Sequence, residues 1–298
     1  MINKTIVITG PTGVGKTDIS LEIAKMYDCE IINADASQFK RDLNIGTAKI
    51  DLNTTDVIHH FVDIIDATSS YNISDYQKEG RLLIDEIKKK GHTPLIVGGS
   101  GLYINSLLYD YHFSSDKEDD FDFSPLSNEE LWQELSTLDK ETADKIPINN
   151  RRRLERALSK ARIGNKISDN LDGDKLLYDA VIICLNTDRE TLYNRINKRV
   201  DIMLDNGLVS ECEELMKKGY DLSKITDIGY LECFKYLNGE CSYVEMAETI
   251  KKRTRNYAKR QLTWFRNKLK PVYVNVNYDD INKTIMDIKN IIEEGINK

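Results

Sequence analysis

The stretch Gly10-Pro11-Thr12-Gly13-Val14-Gly15-Lys16-Thr17 decides the fold. It matches the pattern G-x-x-x-x-G-K-[ST] in full, follows a β-branched run at residues 6–8 and opens a predicted helix over residues 17–27. In such a phosphate-binding loop (P-loop, residues 10–17) backbone N–H groups converge on phosphate oxygens at a partly positive helix N-terminus. Lys16 adds a mobile cation, and the Thr17 hydroxyl can ligate Mg²⁺. The sequence therefore predicts a diphosphate or triphosphate ligand, which need not be a nucleotide.

Strand and helix signals alternate around this P-loop. Further predicted strands cover residues 31–32, 94–97, 180–185 and 272–274. Ser74 and Gln77 resemble a capping box at the start of one helix, and apolar residues four or three apart between 281 and 292 predict a C-terminal helix. This alternation predicts an α/β fold, a P-loop NTPase-like doubly wound parallel sheet with helices on both faces.

The alternation breaks after Tyr111. Residues 114–145 carry eleven acidic side chains against three lysines, and residues 151–166 carry seven cations against Glu155. Leucines at helical spacing predict a small all-helical insertion at residues 113–171, with a polar return linker at 169–174. The α/β core would then comprise residues 1–112 and 172–298.

Composition excludes several classes of protein. The 298 residues are 40% hydrophobic and carry a net charge of −7, which argues against a generally basic nucleic-acid coat. No apolar run approaches the roughly 18 residues that span a bilayer, and the start does not resemble a secretion signal. The five scattered cysteines form no Cys-x-x-Cys pair and predict reduced thiols in a cytoplasmic protein.

Two polar residues follow predicted strands, Asp35 after residues 31–32 and Ser100 after residues 94–97. Strand ends and the P-loop share one crevice in a doubly wound sheet, so both side chains should lie near bound phosphates. A carboxylate repels phosphate, which favours Asp35 as a base toward a second substrate. An ordinary role in a turn explains each residue about equally well.

Most P-loop enzymes also hold Mg²⁺ with an aspartate at the end of an apolar strand. The strand at residues 94–97 ends in Gly-Gly-Ser-Gly, and the alternative at residues 61–66 is short. This gap weakens an ATPase or GTPase interpretation.

A basic segment lies near the C-terminus. Residues 251–270 hold nine cations and no acid, interleaved with Tyr257, Trp264 and Phe265. Cations and aromatic rings together are typical of RNA binding, although a solvated helix face with inward aromatics explains the pattern equally well. The arginines of residues 151–166 also fit the mobile lid of a small-molecule kinase.

Together these features resemble the bacterial tRNA dimethylallyltransferases, also called tRNA isopentenyltransferases, over nearly the whole chain. The most specific block is Tyr-Ala-Lys-Arg-Gln-Leu-Thr-Trp-Phe-Arg at residues 257–266, which a P-loop kinase has no reason to share. The other matching segments are the P-loop and residues 30–38, 45–49, 59–63, 97–103, 152–158 and 195–201.

The resemblance implies transfer of a dimethylallyl group from dimethylallyl diphosphate to the exocyclic amine of the adenosine immediately 3′ of the tRNA anticodon. The P-loop and Arg199 would bind the diphosphate, with Mg²⁺ at Thr17. Asp35 matches the general base, Ser100 would contact the amine, and Lys16 would neutralise the leaving diphosphate. The predicted tRNA contacts are Asp35, Ala36, Ser37, Gln38, Ser100, Arg152, Arg153, Glu155, Arg156, Ala157, Leu158, Ser159, Lys259 and Arg260.

Several positions depart from the family pattern. Ala36 stands where Ser is usual, Lys40 where Tyr is frequent and Ser100 where Thr is usual, and Thr226-Asp227 replaces Gln-Ala. These departures bear on tRNA selectivity and rate more than on the type of reaction.

The partners expected on this interpretation are the tRNA anticodon stem-loop and dimethylallyl diphosphate, with Mg²⁺ as cofactor and no membrane, for a cytoplasmic monomer. The main alternative is a small-molecule or nucleoside kinase that binds ATP at the P-loop. A P-loop RNA-binding module without catalysis is the third hypothesis.

Overall fold

The computed structural model describes residues 4–111, 121–164, 166–167 and 175–296. The chain divides into two compact units, a first unit of residues 1–108 and 177–298 and a second unit of residues 109–176. The predicted boundaries at 112–113 and 171–172 lie outside the described residues, as does the predicted linker at 169–174. Where the chain leaves and re-enters the first unit, the Leu177 N–H donates to the Leu108 carbonyl at 2.7 Å.

The first unit is built on one sheet, which has six strands among the described residues. They are β1 (Thr5–Thr9), β2 (Cys29–Asn33), β3 (His59–His60), β4 (Thr93–Gly98), β5 (Ala180–Asn186) and β6 (Val272–Asn275). All pair in parallel in the order β3-β2-β4-β1-β5-β6. The α/β parallel-sheet prediction is confirmed, and the order reverses direction between β1 and β4, where such sheets bind ligands.

Helices connect these strands. In chain order the described residues form α1 (Lys16–Met26), α2 (Ile73–Lys90), α3 (Gly101–Leu108), α4 (Asn128–Leu138), α5 (Lys140–Lys145), α6 (Arg151–Arg162), α7 (Arg189–Asp205), α8 (Leu208–Lys217), α9 (Tyr230–Leu237), α10 (Tyr243–Trp264) and α11 (Ile281–Ile296). A π-helical turn at Phe265–Leu269 extends α10. Helices α4 to α6 belong to the second unit, and the rest belong to the first.

The central strands are buried on both faces, which explains their continuous apolar runs. Ile6 and Ile8 of β1 pack with Ile19 of α1, Ile196 of α7 and Ile288 of α11 in one core cluster. Ile281 is 37% exposed, so the buried stripe of α11 starts one turn later than predicted. Its first buried residue is Thr284, whose hydroxyl accepts a hydrogen bond from the Asn277 N–H at 2.8 Å.

Two local predictions are wrong. Helix α2 begins at Ile73 because the Asn72 side chain caps it by accepting the Asp75 N–H, so Ser74 lies inside the helix. Residues 61–66 form no strand, because Phe61 and Asp63 adopt positive φ angles of 60° and 56°. This segment therefore offers no strand-end aspartate for Mg²⁺.

The second unit has its own small core. Leu131 and Leu135 of α4 pack with Leu154 and Leu158 of α6, and Arg162 donates two hydrogen bonds to Glu134, each at 2.7 Å. Ala157 is buried in the same core. The side chains of Ala157 and Leu158 therefore pack against helices of this unit, whereas Arg152, Arg153 and Arg156 on the same helix are exposed.

No helix in the part of the chain that the structure describes is both long and apolar enough to cross a membrane.

The ends of β2 and β4 pack too closely for any side chain at Gly98. A Cβ built there would lie 2.2 Å from the Ala34 carbonyl oxygen, which is backbone and cannot rotate away. We expect Gly98→Ala to destabilise the protein by about 3 kcal/mol in urea unfolding, because overpacking must shift a strand. Gly219→Ala is the control, because Gly219 has a φ of 74° and open space around it. Only the strain of a left-handed backbone at alanine should then lower the free energy of unfolding, by about 1 kcal/mol. Equal losses would contradict the close packing.

Candidate active site

The P-loop joins β1 to α1 at the point where the strand order reverses. Gly15 adopts a left-handed φ of 95° and caps α1 without any side-chain bond, so the first amides of the helix have no acceptor within it. The Lys16 ammonium donates to the carbonyls of Gly10 and Pro11 at 2.9 and 3.0 Å. Burial lowers the pKa of Lys16 to about 8, although Asp35 opposes this shift. The loop therefore presents amides and a desolvated cation suited to phosphate oxygens.

Two residues hold the P-loop in shape, and the sequence analysis assigned neither to the site. The Gln261 side chain on α10 accepts the Thr12 N–H and donates to the Gly99 carbonyl, both at 2.9 Å. Arg195 on α7 donates to the Gly13 carbonyl at 3.0 Å. The sequence signal for a buried role of Gln261 is that this long side chain is uncharged although it lies within the basic segment of residues 251–270.

Asp35 lies two residues beyond β2, as the sequence predicted, and begins a 3-10 turn at Ala36–Phe39. Its carboxylate accepts the Ser37 N–H at 3.2 Å. Burial raises the pKa of Asp35, and the charges of Lys16 and Arg199 oppose that rise. A carboxylate of raised pKa beside two cations can accept a proton.

Ser100 lies two residues beyond β4, and its N–H donates to the Ala34 carbonyl at 3.1 Å. Its side chain lies close enough to the Tyr257 phenol of α10 to affect the pKa of that phenol. Burial and the nearby Asp35 charge together raise the pKa of Tyr257 to about 12, so its phenol stays protonated at neutral pH. The structure thus brings Asp35 and Ser100 to one place.

A cavity of about 350 Å³ lies among these elements of the first unit. Its lining includes Thr12 of the P-loop, Asp35, Ser37, Arg199, Tyr257 and Arg260. Burial lowers the pKa of Arg199, while Asp35 acts against that shift. The lining therefore combines the Arg199 and Arg260 cations with two carboxylates, those of Asp35 and Asp227.

The segment at residues 45–49, singled out in the sequence, borders this cavity through Gly46 and Thr47. The Glu211 carboxylate accepts the Ile45 N–H, and the Tyr230 hydroxyl accepts the Gly46 N–H at 3.1 Å. Lys49 donates to the Lys40 carbonyl at 2.6 Å. These residues anchor the cavity wall.

The basic segment forms α10 and the π-helical turn. Lys259 and Arg260 are exposed beside a groove of about 520 Å³ that Asn256, Thr263 and Lys268 also line. Phe265 is fully buried. Its ring therefore packs inward, as expected for a solvated helix face with inward aromatics. The cations are thus available to a ligand, and this aromatic is not.

The predicted contacts of the second unit all lie on α6. Arg152, Arg153 and Arg156 are exposed, and Ser159 is half-buried. Glu155 is half-buried and forms an ion pair with Arg151 at 2.7 Å.

Comparison with known proteins decides the family. The sequence model described as IPP transferase matches residues 38–268, which is most of the chain. The chain belongs to the IPP transferase family. The tRNA dimethylallyltransferase of Streptococcus gordonii is 40% identical over 99% of this chain and 100% of its own length. That of Bacillus velezensis is 44% identical over 89% of this chain and 88% of its own.

Solved structures agree. The tRNA isopentenylpyrophosphate transferase of Bacillus halodurans superposes with a TM-score of 0.76 at 36% identity, over 99% of this chain and 97% of that one. A eukaryotic dimethylallyltransferase acting on tRNA superposes with a TM-score of 0.83 at 26% sequence identity. The superposition covers 97% of this chain and 78% of that one. The predicted family resemblance is confirmed, and these relatives give no support to the kinase alternative.

Gln261 links the P-loop to the end of β4, and replacing it tests that link. We expect Gln261→Met to weaken binding of inorganic diphosphate about tenfold in calorimetric titration, a loss of about 1.4 kcal/mol, because the Thr12 and Gly99 groups lose their partner. Thr263→Val is the control, since that exposed hydroxyl donates only to the Lys259 carbonyl within α10. Unchanged affinity in Gln261→Met would show that the loop holds its shape alone.

Proposed function

We propose that this protein transfers a dimethylallyl group from dimethylallyl diphosphate to the exocyclic amine of the adenosine immediately 3′ of the anticodon in tRNA, releasing diphosphate. The observation that carries the proposal is that the segments after three neighbouring strands lie together: Thr12 and Asp35 line the cavity, and the Ser100 N–H donates to the Ala34 carbonyl. The P-loop follows β1, Asp35 follows β2 and Ser100 follows β4. Relatives over the full length are named for this reaction.

The donor diphosphate would lie on the P-loop. Its negative charge increases as the bond to the allylic carbon breaks, and the amides of α1, Lys16 and Arg199 stabilise that charge. The donor itself supplies the allylic cation character. The protein contributes position and charge.

Mg²⁺ fits this site through Thr17. Its exposed hydroxyl lies in the first turn of α1 beside the P-loop. Among residues 4–111, 121–164, 166–167 and 175–296, no group of three or more His, Cys, Asp or Glu side chains could hold a metal ion. A single hydroxyl suits Mg²⁺, which is commonly held by few protein groups together with substrate phosphates and water. When bound, Mg²⁺ would neutralise diphosphate charge.

The acceptor amine would enter from the Asp35 side. As the nitrogen forms its bond to the allylic carbon, the carbon–oxygen bond breaks and diphosphate keeps the electron pair. Asp35 takes the proton that the nitrogen loses, and the hydroxyl of Ser100 orients the amine. The adenine must leave its stack to reach the cavity, which costs a few kcal/mol and is easier from a single-stranded loop.

Three surfaces would contact tRNA. Within residues 35–38, Asp35 and Ser37 line the cavity. Lys259 and Arg260 are exposed on α10, and Arg152, Arg153 and Arg156 are exposed on the second unit. Cations on these surfaces suit the phosphate backbone, which dominates affinity for nucleic acids. We also propose that the protein works as a monomer in the cytoplasm, where its five free cysteines would remain reduced.

A transfer assay tests the proposal. Radiolabelled dimethylallyl diphosphate, Mg²⁺ and unmodified bulk tRNA should give label in tRNA, and ATP as a parallel donor should give no phosphate transfer to a small acceptor. Label absent from tRNA, with phosphate transferred from ATP, would support a kinase instead.

Asp35 is the proposed base, and Asp35→Asn keeps its shape while removing its capacity to accept a proton. We expect turnover to fall roughly 10²–10⁴-fold, the usual contribution of a general base, with tRNA affinity nearly unchanged in a filter-binding assay. Parental turnover in this variant would remove Asp35 from the mechanism.

Lys259 and Arg260 are proposed phosphate contacts. We expect Lys259→Gln/Arg260→Gln to weaken tRNA binding and to flatten its logarithmic salt dependence by about 0.7–0.9 per lost contact. Lys78→Gln/Lys89→Gln removes the same charge from exposed positions on α2 and is the control. If tRNA binding by both double variants had the same salt dependence, Lys259 and Arg260 would be solvated residues that do not contact tRNA phosphates.

A further inference from the structure

An acid that the proposed mechanism does not use lies beside the proposed base. Asp227 precedes α9, and its two carboxylate oxygens have different partners. One accepts the Ser37 hydroxyl at 2.7 Å, and the other pairs with the Lys40 ammonium at 2.8 Å. The side chains of Lys40 and Asp227 are only 17% and 13% exposed. This is an ordered, largely desolvated ion pair rather than a surface contact.

Ser37 connects this pair to Asp35. Its N–H donates to the Asp35 carboxylate at 3.2 Å while its hydroxyl donates to Asp227. The backbone N–H and the hydroxyl of one residue thus hold the two carboxylates near each other. Asp227 also lines both the 350 Å³ cavity and a neighbouring cavity of about 490 Å³ that Lys40 and Tyr103 border. The ion pair lies where these two cavities meet.

The charges around Asp35 come from several elements. Lys16 of α1 and Arg199 of α7 lower the pKa of Asp35, whereas Asp227 raises it, in addition to the larger effect of burial. Tyr103 of α3 and Tyr257 of α10 also interact with Asp35, and both stay protonated because burial raises the pKa of each phenol. Lys40 offsets the Asp227 charge by pairing with the carboxylate oxygen that Ser37 does not contact.

We propose that Asp227 is a positioning residue for the transfer, which holds Asp35 through Ser37 and, balanced by Lys40, sets the pH range in which Asp35 accepts a proton. The inference rests on the proposed function. An unpaired acid or cation as desolvated as these would be costly, which is the physical reason for the Lys40 ammonium beside the Asp227 carboxylate.

The pH dependence of single-turnover transfer tests the proposal. The rate should fall as pH drops through the Asp35 pKa, because only the ionised carboxylate accepts a proton. Asp227→Asn removes a nearby negative charge, so this acid limb should move to lower pH by on the order of 0.5–1 unit. Lys40→Met leaves the Asp227 charge unbalanced, so the limb should move to higher pH.

Two further variants separate charge from structure. Asp221→Asn removes an exposed acid six residues earlier and should keep the parental limb. Lys40→Met/Asp227→Asn removes both charges and should place the limb between those of the single variants. A rate lowered equally at every pH in both single variants, with the limb unmoved, would overturn the proposal and leave a purely structural pair.

A readout independent of tRNA distinguishes failure of this inference from failure of the proposed function. The carboxyl carbon of Asp35 can be followed by NMR in protein labelled at aspartate, with its signal identified by its loss in Asp35→Asn. The Asp35 titration should shift in the same opposite directions in Asp227→Asn and Lys40→Met even if no label reaches tRNA. Coincident titration curves would overturn the inference while leaving the transfer reaction intact.

Discussion

The close approach of β2 and β4 is the constraint on which the site depends. Gly98 has no side chain, so the Ala34 carbonyl lies where a Cβ would be, and the same carbonyl accepts the Ser100 N–H. Thr9 of β1 donates to the Gly98 carbonyl at 2.8 Å. Three strand ends are thereby held together, so the segments that follow them lie close to one another. Chemistry that needs a diphosphate and an amine side by side follows from this packing.

The cavity combines charges of both signs in a desolvated place. Lys16 and Arg199 lie near Asp35, and burial opposes ionisation of all three. Mutual attraction opposes the effect of burial on the pKa of each group, and such an arrangement suits the stabilisation of a leaving anion beside a base. The same balance explains why Asp227 carries its own partner, Lys40.

Much of this organisation could be predicted from local sequence. The P-loop motif, the buried strands and the position of Asp35 after β2 depend on patterns within a few residues, and the parallel sheet is confirmed. Gln261 and Asp227 could not be assigned in this way, because Gln261 meets Thr12 across 249 positions and Asp227 meets Ser37 across 190. The α2 cap was misplaced because Asn72 competed with Ser74 for the same helix start. The predicted roles of individual residues toward tRNA remain predictions.

The hydrogen bond between Leu108 and Leu177 has an evolutionary consequence. The chain leaves the first unit and returns to it at adjacent residues, so the intervening 109–176 segment closes a loop whose ends are already held together. The entropic cost of such a loop grows only slowly with its length, by about 0.6 kcal/mol per doubling. The segment can therefore lengthen, shorten or diversify between lineages while the sheet that bears the P-loop keeps its geometry.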